Sequence, residues 1–291
     1  MSSMPPVKTA KINGLELAYY EWGNPGNPVL ICLHSHTNTA VSWREFAEFA
    51  STKYHVFAID QRGHGNSDWA KDGYARDRFV EDLSGFIKDN NFEEITLVGC
   101  SMGGWHSILY TADNPDFVQR IVMVDIAPEP SPERMEAPPP APTPMEFAAL
   151  EDGFRWLRSG NELASDTRLM EDAKARLRQT DAGSWTWKAD LEGFDNPLPD
   201  MTNVSLISRY WSAIESIRCP ILEIRGAESN LVGDSTIEKM KRLGKEVSSV
   251  DVSRAGHVVM VDQPEPFIEA IKGFVCLLSG LEHGYPNSIL T

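Results

Sequence analysis

The stretch LVGCSMGG, Leu97 to Gly104, decides how this chain folds. It runs apolar up to Gly99, sets Cys100 beside Ser101, and continues through Met102 into two glycines. Two potential nucleophiles stand side by side, and their spacing separates them. Ser101 lies two residues after Gly99 and two before Gly103. A strand that turns sharply into a helix strains its central residue and needs small residues on both sides of it. Centring the turn on Cys100 would require small residues at Val98 and Met102, so the register selects Ser101. Cys100 reads as a small buried apolar residue at the end of its strand. An apolar EITLV precedes the motif and a helix-length segment follows, which predicts a strand–turn–helix context.

Outward from this turn the chain alternates. Val7 to Gly23 changes direction at Asn13-Gly14, a hairpin signal. Short apolar runs at Pro28–His34, Tyr54–Asp60, Glu94–Cys100, Arg120–Ile126, Cys219–Gly226 and Glu246–Ser253 read as buried parallel strands. Helix-length segments at Ser42–Ser51, Ala75–Asn90, Met102–Asn114, Ser235–Leu243 and Glu265–Leu278 lie between or after them. The pattern predicts an α/β fold: a mostly parallel, eight-stranded sheet flanked by helices on both faces.

One interval departs from the alternation. Pro128 to Pro144 is proline-dense and is expected to form neither regular helix nor strand. The following residues up to the next strand are helical in composition and contain Trp156, Trp185, Trp187 and Trp211. Residues 128–215 are therefore expected to be an inserted helical cap whose tryptophans fill its own core. Residues 1–127 and 216–291 would form the core domain.

A serine hydroxyl needs a base and the base needs an acid. His257 falls in a loop after the last strand, at the same sheet edge as the elbow, and is the expected base. His55 lies inside a strand, His106 one helical face away, and His283 in the tail. Asp125 closes an otherwise apolar strand next to the elbow, an odd place for a charge, and is the favoured acid. Glu228, after the seventh strand, is the alternative, with Asp234 behind it. The expected oxyanion donors are the backbone N–H of Met102, at a helix N-terminus, and that of His36, in the loop after the third strand. His34 reads as a buried residue that bonds neighbouring loops. His34-Ser35-His36 has no third ligand at a helpful spacing, so no metal is expected.

Composition narrows the partners. The 291 residues carry a formal net charge of −15, which argues against nucleic acid and anionic membrane surfaces. The four cysteines show no CxxC spacing and three sit in apolar runs, as in reduced cytosolic proteins. The first ten residues have no apolar leader core, and no apolar run approaches the ~18 residues of a membrane span. A cytoplasmic protein with a small-molecule substrate is the expectation.

Together, LHSHT, DQRGHGNSD (Asp60–Asp68), GCSMGG and AGHVVMVDQPEPF resemble the oxyanion loop, the Asp-x-Arg-Gly-x-Gly-x-Ser segment, the elbow and the histidine loop of the α/β-hydrolase superfamily. VDIAPE is similar to a subgroup of small esterases whose triad acid follows the sixth strand, which supports Asp125. Two positions depart from the pattern: Ser35 replaces a usual Gly, and Ser229 stands where many members carry their Asp. By that pattern, Asp60 and Arg62 hold the loop beside the oxyanion site. The resemblance implies a cofactor-free serine hydrolase acting on a small to medium, fairly apolar carboxylic ester through an acyl-enzyme. Lactones and enol-lactones are alternatives, as are perhydrolase, haloperoxidase or C–C hydrolase chemistry on the same triad, or a non-catalytic receptor. Ser rather than Asp at the elbow argues against haloalkane dehalogenase or epoxide hydrolase chemistry.

Overall fold

A computed structural model describes residues 4–136, 142–194 and 202–275. Cys276, His283, the tail and part of the proline-dense segment lie outside the described residues. The chain opens with β1 (Lys8–Ile12) and β2 (Leu15–Trp22), then β3 (Val29–Leu33), α1 (Arg44–Ala50) and β4 (His55–Ile59). It continues through α2 (Arg76–Asp89), β5 (Ile95–Cys100), α3 (Met102–Asp113) and β6 (Val118–Val124). An insertion follows: α4 (Pro132–Glu136), β7 (Glu146–Phe147), α5 (Leu150–Gly160), α6 (Asp166–Arg176), β8 (Leu177–Gln179), β9 (Trp185–Trp187) and α7 (Val204–Ser216). The chain returns as β10 (Ile221–Gly226), α8 (Asp234–Leu243), β11 (Val247–Val252), α9 (Val259–Asp262) and α10 (Pro264–Val275).

The main sheet has eight strands in the order β1-β2-β4-β3-β5-β6-β10-β11. The β1–β2 and β2–β4 pairs are antiparallel and the rest parallel. The hairpin turns where the sequence predicts, with Asn13 and Gly14 both at positive φ (50° and 83°), as a primed turn requires. Along β5, Ile95 and Leu97 face one apolar layer with Trp105 and Ile108 of α3, while Val98 and Cys100 face the other with Trp43, Phe46 and Phe267. Both faces are covered, which is why the central strands are continuous apolar runs.

The insertion corrects two expectations. The proline-dense segment does hold regular structure: Pro132 opens α4, and proline suits the first helical turn because its missing N–H would be unpaired there anyway. The expected helical cap also contains a three-stranded antiparallel sheet, β7-β9-β8. Its central strand is Trp185-Thr186-Trp187, and such aromatic and β-branched residues favour a pleated, half-buried surface over a helix. Trp187 is buried with Phe147, Leu157 and Leu177, and Trp156 and Trp185 pack against them. Trp211 behaves differently. It lies on α7 with Tyr210 and Ile214, inside the sheet layer rather than the cap core. Tyr210 stacks on Trp105 of α3 at 5.2 Å between ring centroids.

Polar contacts bind the insertion to the sheet domain. Arg168 of α6 pairs with Glu45 of α1 (2.6 Å), Arg44 with Glu171 (2.8 Å), and Tyr74 donates to Asp190 (2.7 Å).

Candidate active site

The elbow forms where β5 meets α3. Ser101 sits at φ 51°, ψ −118°, outside the regions open to most side chains. Its neighbours explain how that strain is tolerated. A Cβ on Gly99 would strike the Gly103 carbonyl, and a Cβ on Gly103 would strike the carbonyl of Leu33 at the end of β3. The small residues thus serve two close approaches, the turn on itself and α3 on the neighbouring strand. Ser101 N–H donates to Val124 O at 3.1 Å, which fastens the elbow to β6.

Cys100 takes the opposite face. It is fully buried, and burial, followed by the nearby Asp125, Asp262 and Glu223 carboxylates, pushes its thiol well above the ordinary range. A thiol kept protonated is a poor nucleophile. Ser101, by contrast, is partly exposed.

Cys100 pairs in register with Val124, so the next residues, Ser101 and Asp125, leave the sheet side by side. Asp125 is completely buried and itself at φ 49°, an arrangement Asp tolerates better than most residues. His257 Nδ1 lies 2.8 Å from Asp125 Oδ2. A carboxylate only accepts, so Nδ1 carries the proton and Nε2 is left with its lone pair. The His257 loop lies over the elbow, with its carbonyl 3.8 Å from Cys100 Sγ. Among the described residues no hydrogen bond joins Ser101 Oγ to His257; in resting enzymes such contacts are commonly long and tighten when substrate binds.

Two further groups complete the surroundings of Asp125. Ser229 Oγ donates to Asp125 Oδ2 at 2.6 Å, and the Leu231 N–H donates to Ser229 Oγ at 3.2 Å. Glu223 on β10 is fully buried; its Oε1 accepts the Ile126 N–H at 3.1 Å. Burial, and then the charge of Asp125, raises the Glu223 carboxyl well above the usual range, so it holds a proton. Sequence reasoning marks Ser229 only as a departure from the usual acid position, and it does not single out Glu223. The signal for Glu223 is a carboxylate within the apolar run CPILEIRG, the same oddity that marks Asp125. The alternative acids lie elsewhere. Glu228 has an exposed side chain and only its backbone N–H engages the loop, donating to Ala255 O. Asp234 is paired with Arg225 at 2.7 Å.

The loop after β3 is held by neutral histidines. His34 Nδ1 donates to Ser35 O (2.8 Å) and Nε2 accepts the Gln61 N–H (2.9 Å). His64 Nδ1 donates to Arg62 O (2.9 Å), and Nε2 accepts the Thr37 N–H (3.1 Å). Burial holds the His34 ring down to about 4 and pushes His64 well below its ordinary value. Asp60 accepts from the Ala40 N–H (2.7 Å), which ties it to that loop, whereas the Arg62 guanidinium is bound by Asp82 of α2 (2.6 Å).

A cleft of about 470 Å³ opens beside the elbow, with His36 and Met102 both in its wall. Met102 is the first residue of α3, and the leading N–H groups of a helix have no intrahelical partner. Phe194 of the insertion packs edge-on against the His36 ring at 5.1 Å, so the insertion and the loop after β3 meet at the cleft. The arrangement can activate a hydroxyl and stabilise negative charge developing beside it. Among the described residues no group of three or more His, Cys, Asp or Glu side chains is placed to hold a metal ion. Nor is any helix there long and apolar enough to cross a membrane.

A family model described as alpha/beta hydrolase fold matches residues 28–264. The chain is 30% identical over 254 residues to 3-hydroxybutyrate-oligomer hydrolase of Cupriavidus necator, covering 83% of this chain and 86% of that one. It is 27% identical over 259 residues to 2-(acetamidomethylene)succinate hydrolase of Mesorhizobium japonicum, covering 85% and 88%. A crystal structure of E-2-(acetamidomethylene)succinate hydrolase superposes with a TM-score of 0.80 at 25% identity, covering 93% of this chain and 99% of that one.

Proposed function

We propose that this chain, which belongs to the α/β-hydrolase fold family, is a serine hydrolase that cleaves a carboxylic ester through an acyl-enzyme. The observation that carries the reading is the 2.8 Å contact from His257 Nδ1 to Asp125, beside a serine held at positive φ. With Nδ1 as donor, Nε2 takes the Ser101 proton as Oγ bonds to the ester carbonyl carbon. The carbonyl π electrons move onto oxygen, and the Met102 and His36 N–H groups receive that oxyanion. When the C–O bond to the alcohol breaks, the imidazolium returns its proton to the leaving oxygen. Water, deprotonated by His257, then releases the acid and restores Ser101. Asp125 stays ionised throughout and offsets the imidazolium charge.

The two relatives are named as hydrolases of a 3-hydroxybutyrate oligomer and of 2-(acetamidomethylene)succinate. For this chain the ester is the first reading and a lactone, the cyclic form of the same bond, the second. Ser101→Ala is expected to abolish p-nitrophenyl ester turnover and labelling by a fluorophosphonate probe. Labelling that persists at Cys100 in that variant would overturn the assignment of the nucleophile.

A further inference from the structure

We propose that Asp262 is a positioning residue that ties the insertion to the loop carrying His257, so that the seating of the insertion sets the alignment of the catalytic base. The inference rests on the triad reading above and gives the insertion a part in the chemistry.

Asp262 ends α9, the short helix that follows His257, and its side chain is buried. Its two carboxylate oxygens serve two different parts of the chain. Oδ2 accepts the Gly256 N–H at 2.7 Å, the peptide immediately before His257. Oδ1 accepts from Asn161 Nδ2 at 2.6 Å, in the insertion and 101 residues away in sequence. Hydrogen bonds to an ionised carboxylate are the strong kind. Burial raises the Asp262 carboxyl; the Asn161 and Gly256 donors and the charge of His257 oppose that rise, and Asp172 of α6 adds to it. A buried carboxylate deprived of one donor shifts to regain one, so a change at Asn161 is transmitted to Gly256.

Asn161 is itself held in a single orientation. It follows α5, and its Oδ1 accepts the Leu163 N–H (3.0 Å) and the Ala164 N–H (3.1 Å), so Nδ2 is the atom left to face Asp262. Arg158 Nη1 closes the same turn by donating to Asn161 O (3.1 Å) and Ala164 O (2.8 Å). Apolar contacts seat the turn on the histidine loop. Ala164 and Leu169 are buried with Val261, and Phe154 and Val258 pack against them. A Cβ on Gly256 would stand 3.3 Å from Asp262 Oδ2 and 3.4 Å from Leu163 Cδ1, so the insertion lies directly against the peptide before the base.

The imidazole needs this support. The His257 side chain is 39% exposed, so packing alone does not fix it. Its Nδ1 contact with Asp125 holds one end of the ring, and the backbone that carries it sets the other. The Gly256 N–H is where that backbone is tied to a buried charge. A shift of about 1 Å at a catalytic group costs up to ~10²-fold in rate.

The test reverses the polarity of the Asn161–Asp262 pair in the full-length protein. Asp262→Asn leaves one acceptor where two donors converge, and Asn161→Asp sets two carboxylates against each other. Each is expected to lower kcat on p-nitrophenyl acetate by roughly tenfold, with KM changed by less than about threefold. In the double variant the amide at 262 accepts from Gly256 and donates to the carboxylate at 161, which also keeps the Leu163 and Ala164 N–H groups. The double variant should therefore recover kcat to within about threefold of the wild type. A purely structural role would lower the urea midpoints and leave kcat of the folded variants unchanged. Full kcat in both single variants, or a folded double variant no faster than the slower single one, overturns the proposal. Hydrogen exchange at the Gly256 amide gives a second reading and decides the matter where a polarity variant fails to fold. Asn161→Ala should speed that exchange by roughly tenfold, although the substitution lies in the insertion. Unchanged protection of Gly256 overturns the link. If the wild type neither turns over p-nitrophenyl acetate nor takes a fluorophosphonate label, the ester reading falls instead, and the Gly256 exchange still reports whether the insertion holds the histidine loop.

Discussion

Ser229 Oγ donates to Asp125 Oδ2 at 2.6 Å, the same oxygen that His257 Nδ1 contacts. A hydroxyl in the loop after β10 thus binds the carboxylate that follows β6. Two loops 104 residues apart in sequence meet on one carboxylate. The Leu231 N–H fixes the Ser229 oxygen in turn, so its proton is aimed at the carboxylate.

Asp125→Asn is expected to lower kcat on a p-nitrophenyl ester by about 10³–10⁴-fold, as for other triads that lose their acid. Ser229→Ala should cost about tenfold, because it removes one hydrogen bond to a charged group. Glu228→Gln should change little. The double variant Asp125→Asn with Ser229→Asp should recover part of the loss, since a carboxylate at 229 lies within reach of the imidazole. Collapse of turnover in Glu228→Gln alone would overturn Asp125 as the acid.

Gly103→Ala should destabilise the fold by about 2–4 kcal/mol, since its Cβ meets a backbone carbonyl that cannot move without shifting β3. Urea unfolding reads this as a lowered midpoint at unchanged slope. The same measurement on Gly273→Ala, where nothing stands within 4 Å, should show no such loss.

Glu223→Gln tests the buried acid through pH. The folded protein keeps Glu223 protonated while the unfolded chain ionises it near its ordinary value, so the folded state binds the extra proton. Stability from this group is present at low pH and is lost as pH rises through the window between the two values. The variant should therefore gain on the wild type by up to about 1.4 kcal/mol per pH unit above ~4.5. A pH-independent difference between the two would show that Glu223 is ionised in the fold.

His34→Gln should show the opposite slope. The wild-type ring is neutral in the fold down to about 4, whereas the unfolded histidine protonates near 6.5. Here the unfolded state binds the extra proton, so this contribution falls as pH drops between those values. The advantage of the wild type over His34→Gln should shrink by up to about 1.4 kcal/mol per pH unit on acidification, as read by urea midpoints at pH 7, 6 and 5. A constant difference would overturn the neutral ring.

Sequence is legible wherever short-range chemistry dictates the outcome. Buried strands must be apolar and helices periodic, so the order of the sheet elements can be read directly. The sharp turn admits only small neighbours, so Gly99 and Gly103 single out Ser101 over Cys100 by spacing alone. A histidine after the last strand must emerge at the elbow's edge of a parallel sheet, which points to His257. The cap is less legible, because WTW and its neighbours carry no long period and their pairing joins segments some forty residues apart. Trp211 packs in a different layer from the one its sequence context predicts, for a related reason. An amphipathic helix shows that it has a buried face, not which neighbour covers it.

The sequence by itself determined the sheet, the elbow and which residue stands at its apex, because each depends on neighbours a few positions away. Only the tertiary structure decided which carboxylate meets the imidazole, that Ser229 bonds it, that burial raises the Glu223 carboxyl beneath it, and that Arg176 reaches Thr37 in the loop after β3. Those properties depend on distances of a few ångströms between residues up to 139 positions apart, and on burial that no local pattern encodes.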